Sequence, residues 1–411
     1  MKIRLLALAL VLALGAPAAI AKDNAPDPIK SFLDGLTIGE GIATAEVIIF
    51  PVMAAEKPAK LEIRPSTWSE NVGFNEPEFP KRRFNVNVAN NEPGMLLMLG
   101  GTILGGGHRD RVIPQDVLVP AGARVEIETI AAAPSGDHRK EALPFRLGSA
   151  LAPPYIRERA EFSPTNTLVP NFASHFLDFR NEGDKRKSLS AINASDKLTK
   201  LCLPCHEALA KFPVAEGGRV VGVITAVRGR IGSLELFGDN RLLKAWFEPL
   251  LKSHTFAAAA IAVKAKKLRV PLPTDDNADQ TMEKLQKDAQ KLLERVQKAR
   301  FKEGDTPKNG AGQYWIFRTS NSTRGAATVL DDRLIHMAVF PYEPFENALF
   351  GRRVKAPNDE SEYGEYGQGE LERKARHGRL TEYEKRLLDR MRKNRAGGGL
   401  RVGGVGGGRG R

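Results

Sequence analysis

Cysteine is almost absent from this 411-residue chain, which holds only two. Two thiols cannot frame a fold of this size, so a disulfide scaffold is excluded and a tetrathiolate zinc site is excluded with it. Long apolar runs are also lacking. Leu5–Leu14 is ten residues long, about half of what a helix needs to cross a bilayer. The phosphate-cradling Gly-x-x-x-x-Gly-Lys-Ser/Thr loop, the zinc-protease His-Glu-x-x-His and the Ser-x-x-Lys nucleophile pattern are missing, which removes those three chemistries. Apolar content is not scarce: 42% of residues are hydrophobic, enough for a self-supporting core.

The chain opens MKIRLLALALVLALGAPAAIA. Lys2 and Arg4, the Leu5–Leu14 run and the small residues Ala19-Ile20-Ala21 have the three parts of a secretory signal. Cleavage near Ala21–Lys22 places the mature protein in the periplasm or outside the cell, with no integral span remaining. A buried N-terminal helix is the competing reading. The formal charge of +13 is uneven: residues 371–411 hold 13 Lys/Arg against 4 Asp/Glu, a surplus of nine. The basic balance therefore describes a tail more than a nucleic-acid-binding core.

Between these ends the pattern predicts an α+β fold with a β-rich antiparallel core and a few packed helices over residues 30–341. Apolar or alternating runs at Val47–Phe50, Phe84–Val88 and Met95–Leu99 read as strands separated by Gly/Pro/Asn turns, with Pro51 ending the first. Residues 134–217 are rich in Pro, Asn and charge and read as an irregular insertion. It ends in a short helix that begins near Cys202. Val220–Val227 and Ile231–Phe237 form a strand pair, followed by a helix capped by Asp239 or Asn240. Residues 274–301 carry Met282, Leu285, Ala289, Leu292, Leu293 and Val296 at helical spacing. Strands follow at 312–320 and 333–341. Asp331-Asp332 reads as a turn. Residues 342–411 are polar, then basic and Gly-rich, and predict a disordered tail. Its mobile arginines suit a polyanion as partner, and a merely solvating tail is the alternative.

The stretch NNEPGMLLMLGGTILGGGHRDRVIPQDVLVPAGARVEI (90–127) resembles the ARG and rhodanese-phosphatase-superfamily-associated domain family. The likeness lies in the apolar strand, Gly100-Gly101, the segment Gly105-Gly106-Gly107-His108-Arg109-Asp110-Arg111, and the Val119-Pro120-Ala121-Gly122 turn. It extends to about residues 30–260, with Ile335–Pro341 as a further match. The resemblance implies a gene-level link to ADP-ribose-related enzymes, and it implies a domain type without a reaction. The family's Cys-Val-Glu and Gly-Arg-Trp after the glycine motif are absent here, where Ile130–Ala133 and Gly136–Arg139 stand instead.

Taken physically, Gly105, Gly106 and Gly107 can adopt positive φ and bring backbone N–H groups to a ligand. Arg109 and Arg111 fall on one face of an extended segment, suited to a phosphate or carboxylate, with His108 and Asp110 on the other. Three readings stand: an anion site, a tight turn locked by an Asp110–arginine pair, and acid–base chemistry by His108 and Asp110. Both cysteines lie in Cys202-Leu203-Pro204-Cys205-His206, the spacing of haem c attachment, in which the thiols hold the vinyl groups and His206 is the iron ligand. No distal ligand stands out from His175, His254 and Met282. A redox dithiol activated at a helix N-terminus, a local disulfide and unused thiols are the alternatives.

Overall fold

Chain segments dense in Val, Ile and Leu assemble into one large sheet, and the other described helices and smaller sheets pack against its two faces. The computed structural model describes residues 26–341 except 45, 67–70, 78–84, 134–141, 163, 165–167, 175, 183–184, 211, 213–217, 269–277, 308 and 320–322. The expected signal at 1–21 and the tail from 342 lie outside these residues, as do Gly136–Arg139 and His175.

Helix α1 (Asp27–Asp34) leads into the short strands β1 (Thr37–Ile38) and β2 (Ile42–Ala43), then β3 (Val47–Met53) and β4 (Ile63–Pro65). Next come β5 (Val72–Asn75), β6 (Asn85–Asn90), β7 (Met95–Met98), β8 (Thr102–Gly107), β9 (Arg111–Val112) and β10 (Val117–Val119). Strands β11 (Arg124–Glu128), β12 (Ile130–Ala131) and β13 (Leu143–Leu151) precede the helices α2 (Pro154–Phe162), α3 (Leu168–Ser174), α4 (Leu189–Asn193) and α5 (Asp196–Ala210). The chain continues as β14 (Val220–Val227), β15 (Arg230–Phe237), α6 (Asn240–Leu268) and α7 (Ala278–Gln297). It closes with β16 (Phe301–Glu303), β17 (Gln313–Arg318), β18 (Arg324–Leu330) and β19 (Arg333–Phe340).

The fold is α+β with antiparallel sheets, as the pattern predicts. The large sheet has nine strands in the order β1-β3-β14-β15-β19-β18-β17-β16, with β2 also on β3. Hairpins join β14 to β15 at Arg228-Gly229 and β18 to β19 at Asp331-Asp332. All four turn residues have positive φ, the geometry that matches the twist of a two-residue hairpin. Asp331-Asp332 is thus the turn expected.

One sheet face carries Phe50, Ile224, Leu234, Leu236, Met337 and Val339, and α1 and α7 cover it with Ile29, Leu33, Leu285, Leu292, Leu293 and Val296. The other face meets α6 through Val223, Phe237, Leu243, Trp246 and Leu250. Strands β4 to β13 form three smaller sheets on the same side. They enclose a core of Val86, Val88, Leu96, Met98 and Ile127.

Three boundaries differ from the pattern. Strand β3 runs through Pro51 to Met53, where the sequence predicts a stop. The Pro51 carbonyl accepts from Gly39 N–H at 2.9 Å on the side of the short strands, so the missing donor falls at a sparsely paired edge. Residues 134–217 are not irregular throughout, since they contain β13 and four helices. Strand β18, RGAATVL, lies between the two strands expected at 312–320 and 333–341, and its Ala326 and Ala327 are buried between neighbouring strands. Asp239 is the cap of α6, with its Oδ1 accepting from Leu242 N–H at 2.8 Å. No helix among the described residues is long and apolar enough to cross a membrane.

Leu292 is fully buried between α7 and the sheet. Leu292→Ala should lower unfolding free energy by about 2–5 kcal/mol through lost burial and a residual cavity, read by denaturant titration. A loss under about 1 kcal/mol would show that α7 is not packed in this way.

Candidate functional site

Gly106 and Gly107 have φ of +128° and +60°, as their proposed role demands, but the turn they build points inward. Asp110 Oδ1 accepts from Gly106 N–H at 2.9 Å, and Oδ2 accepts from Ser188 Oγ at 2.6 Å and from Ser190 Oγ. Arg109 Nε donates to the Ala133 carbonyl at 2.7 Å. Arg111 Nη2 donates to Glu76 Oε1 at 2.9 Å, an oxygen that also takes His108 N–H at 3.2 Å. Arg109, Asp110 and Arg111 are buried, whereas His108 keeps 38% of its side chain exposed. The two arginines do not share a face as predicted, because residues 108–110 bend between β8 and β9. Asp110 is held by Ser188, Ser190 and the Gly106 amide. Gly105 sits against Ser190, with 3.4 Å from a Cβ position to its hydroxyl. The local partners are those of a locked turn.

Cys202, Cys205 and His206 lie in the middle of α5, not at its start. Leu198, Cys202, Cys205 and Leu209 form its inner stripe. Leu201 and Leu203 are exposed. The Cys205 thiol sits 3.1 Å from Thr44 Oγ1. Burial pushes Cys202 up to about 11 despite the Thr255 hydroxyl nearby, and raises Cys205 despite Thr44. The expected helix-terminus activation of a thiol is therefore not realised, because a mid-helix position offers no free N–H groups. Both cysteines are free, and Cβ atoms three apart on a regular helix stand about 5–6 Å apart, beyond the span of about 3.5–4.5 Å that a disulfide takes. His206 Nε2 is enclosed and has no hydrogen-bond partner among the described residues. With α5 docked, both thiols are half-buried against the core and the His206 Nε2 is enclosed. The three candidate distal ligands are not brought to it: His254 bonds within the sheet–α6 layer, Met282 packs on the opposite sheet face, and His175 is outside the described residues. Among the described residues no group of three or more His, Cys, Asp or Glu is arranged to hold a metal ion.

The molecule's most perturbed ionisable groups lie elsewhere, in a buried polar stripe crossing the large sheet beneath α6 and α2. Thr225 on β14 meets Ser233 on β15 at 3.1 Å and the His254 ring at 3.2 Å. Glu235, two residues along the same face of β15, takes both guanidinium nitrogens of Arg157 at 2.6 and 3.1 Å. His336 on β19 bridges Glu235 Oε2, 3.1 Å from Nε2, and Asp116 Oδ2, 2.6 Å from Nδ1. Thr328 donates to the same Asp116 oxygen at 3.3 Å. Asp116 Oδ1 accepts from Gly100 N–H at 2.9 Å, and Arg157 Nε donates to the Gly100 carbonyl at 3.0 Å. Gly101 (φ +91°) must be glycine, since a Cβ there would lie 2.4 Å from the Arg157 side chain. At the far end the Tyr314 hydroxyl donates to Glu161 of α2.

Each group's titration follows from this geometry. Burial opposes charge on His336, but Asp116 and Glu235 prevail and hold it up at about 9, an imidazolium at neutral pH. Burial would raise Glu235, yet Arg157 and His336 bring it down to about 2. Burial, with the Asp116 charge adding to it, lifts Glu161 to about 8 against Tyr314, Arg157 and His336. Burial lowers His254 to about 4. An imidazolium clamped by two carboxylates cannot accept a further proton, so His336 is a poor general base. No sequence motif marked this stripe.

Glu235→Ala should cost about 3–5 kcal/mol, or prevent folding, because it strands the Arg157 and His336 cations. A loss under 1 kcal/mol in denaturant unfolding would contradict the ion pairing. His336 and Glu161 both have raised values, so their stabilising contributions are complete below about 6.5 and 4.5 and are lost as pH rises through about 9 and 8. His254, with its lowered value, contributes above about 6.5 and loses its contribution as pH falls through about 4. Thermal midpoints should therefore decline from pH 6.5 to 9, and His336→Gln should flatten that decline relative to its own midpoint at pH 6.5. An equally steep decline in the variant would contradict the assignment.

Residues 185–340 match the family described as the ARG and Rhodanese-Phosphatase-superfamily-associated Protein domain, so the resemblance holds over those residues. The match takes in α5, Glu235, Tyr314 and His336, and it leaves the glycine turn, Asp116 and Arg157 before its start. No curated protein and no solved structure matches the chain.

Proposed function

We propose that the protein is an exported accessory protein that works by binding an anionic ligand, ADP-ribose-like compounds among them, and not by covalent chemistry of its own. The observation carrying this reading is the mutual commitment of its reactive groups. His336 is a clamped imidazolium, the thiols are raised and packed, and Asp110 is saturated by serines and a backbone amide. A scaffold so occupied presents charge to a ligand without offering a base or nucleophile. Export rests on the leader sequence. The basic segment 371–411 adds a sequence-level affinity for polyanions, which would weaken steeply with salt. The family association brings ADP-ribose into view, and the anionic character common to such ligands suits the chain's positive balance.

Calorimetric titration of the mature full-length chain with ADP-ribose and pyrophosphate, with ribose as an uncharged control, tests the reading. Saturable heat with the anions and none with ribose is expected at about physiological salt. Absence of saturable heat with both anions would overturn it.

A further inference from the structure

Both thiols of the chain and one histidine share a side of a single helix, and the anion-binding reading uses none of them. Cys202, Cys205 and His206 stand in the middle of α5. Residues three and four apart on a helix lie on one face, so the two sulfurs and the imidazole project together. Thr44 and Thr255 lie beside the thiols, and His206 is close enough to Glu248 of α6 to act on its carboxyl. This side of α5 thus faces α6 and the turn before β3.

Several features set this face apart from ordinary helix packing. The enclosed His206 Nε2 has no hydrogen-bond partner among the described residues. A buried polar nitrogen left in that way calls for a partner, and an imidazole nitrogen is a ligand for haem iron. The two free thiols are only half-buried, whereas Leu198 and Leu209 on the same stripe are buried. Leu201 and Leu203, on either side of Cys202, are 51% and 44% exposed, apolar surface of the kind a macrocycle covers. The surroundings are aromatic too. Cys202 packs on the cluster of Phe172, Phe176 and Phe256, and Cys205 on the cluster that holds Phe212. Pro204 has no amide to donate to the Lys200 carbonyl, which weakens α5 at the motif itself.

We propose that Cys202, Cys205 and His206 form the attachment site of one c-type haem, with the thiols bonded to its vinyl groups and His206 Nε2 as an axial ligand of the iron. The spacing is that of haem attachment, and the orphaned nitrogen and the exposed leucines give the group a place and a need. The chemistry balances without oxidant or reductant. Each S–H adds across a vinyl C=C: the sulfur bonds the carbon next to the ring, the hydrogen goes to the terminal carbon, and nothing leaves. The thiols must be reduced for this, and they are. With α5 docked, burial keeps both protonated, and the thiolate is the nucleophile. Addition therefore precedes the docking of α5; as free thiols the cysteines pack like small apolar groups. The site is separate from anion binding. It rests on the export part of the proposed function, because attachment to this motif follows export.

The full chain, expressed in a bacterial host with a c-type haem maturation apparatus and beside a c-type cytochrome that the apparatus loads, tests the site by intact mass and absorption spectrum. The expected product lacks the leader, is heavier by one haem, and keeps its Soret band after denaturation and acid–acetone extraction. Cys202→Ala/Cys205→Ala should lose the mass gain and the band together. His206→Ala should carry no haem or show a displaced band. The reading on the unmodified chain does not depend on any variant folding. If the leader is retained and no haem is held, the export reading falls and the site with it. If the leader is removed and no haem is held, or acid–acetone extracts the haem, the site alone is overturned. Haem retained by the double cysteine variant would overturn it equally, and haem retained by the His206 variant with an unchanged band would remove His206 as the ligand.

Discussion

The structure depends on one electrostatic fact: an imidazolium, His336, is held fully buried between the carboxylates of Asp116 and Glu235, and Glu235 is in turn held by Arg157. Burying any one of these charges singly would cost several kcal/mol. Buried as two cations and two anions, with Thr328 and the Gly100 peptide satisfying further lone pairs, they constrain everything around them. The Gly100-Gly101 turn must come close enough to touch Arg157. Helix α2 must present Arg157 to β15, and β15 must pair with β19 in the register that brings Glu235 beside His336. A slip of one residue would turn Glu235 into the apolar layer under α7.

The apolar layers do different work. The sheet face under α1 and α7 is a continuous apolar layer whose burial stabilises the fold. The opposite face mixes apolar contacts with the polar stripe, which selects one arrangement of the smaller sheets and α2 against the large sheet. The Arg324–Glu158 pair lies further along that face towards the sheet edge, where exposure rises.

Much of the fold was legible because its strands are built from Val, Ile and Leu and its turns from Gly, Asp and Asn. α7 was legible because its apolar residues recur every three or four positions. The candidate site was not legible, for a physical reason. In SLELF, Ser233 and Glu235 alternate with Leu234 and Leu236, and such alternation is the mark of a strand with one wet face. Here both faces are covered, and the polar one is satisfied internally. His336 in RLIHMAVF and Tyr314 in QYWIF give no periodic signal of their partners. The Cys-x-x-Cys-His spacing was conspicuous, yet in the folded chain the thiols serve as small apolar groups on the inner stripe of α5. In the glycine segment Gly106 and Gly107 take the positive φ expected and Gly105 does not, while Arg109 and Arg111 turn to different partners, the Ala133 carbonyl and Glu76.

The partners in the buried ion network are far apart in sequence: 78 residues separate Arg157 from Glu235, 101 separate Glu235 from His336, and 220 separate Asp116 from His336. The last member lies on the last strand of the large sheet. A chain emerging N-terminus first during synthesis therefore cannot set His336 between Glu235 and Asp116 until nearly the whole of residues 26–341 has been made. The earlier segments must wait as hydrated, incompletely docked hairpins and helices. Folding is thus tied to the completion of the chain, and the slow step is the long-range closure that brings β19 into the sheet.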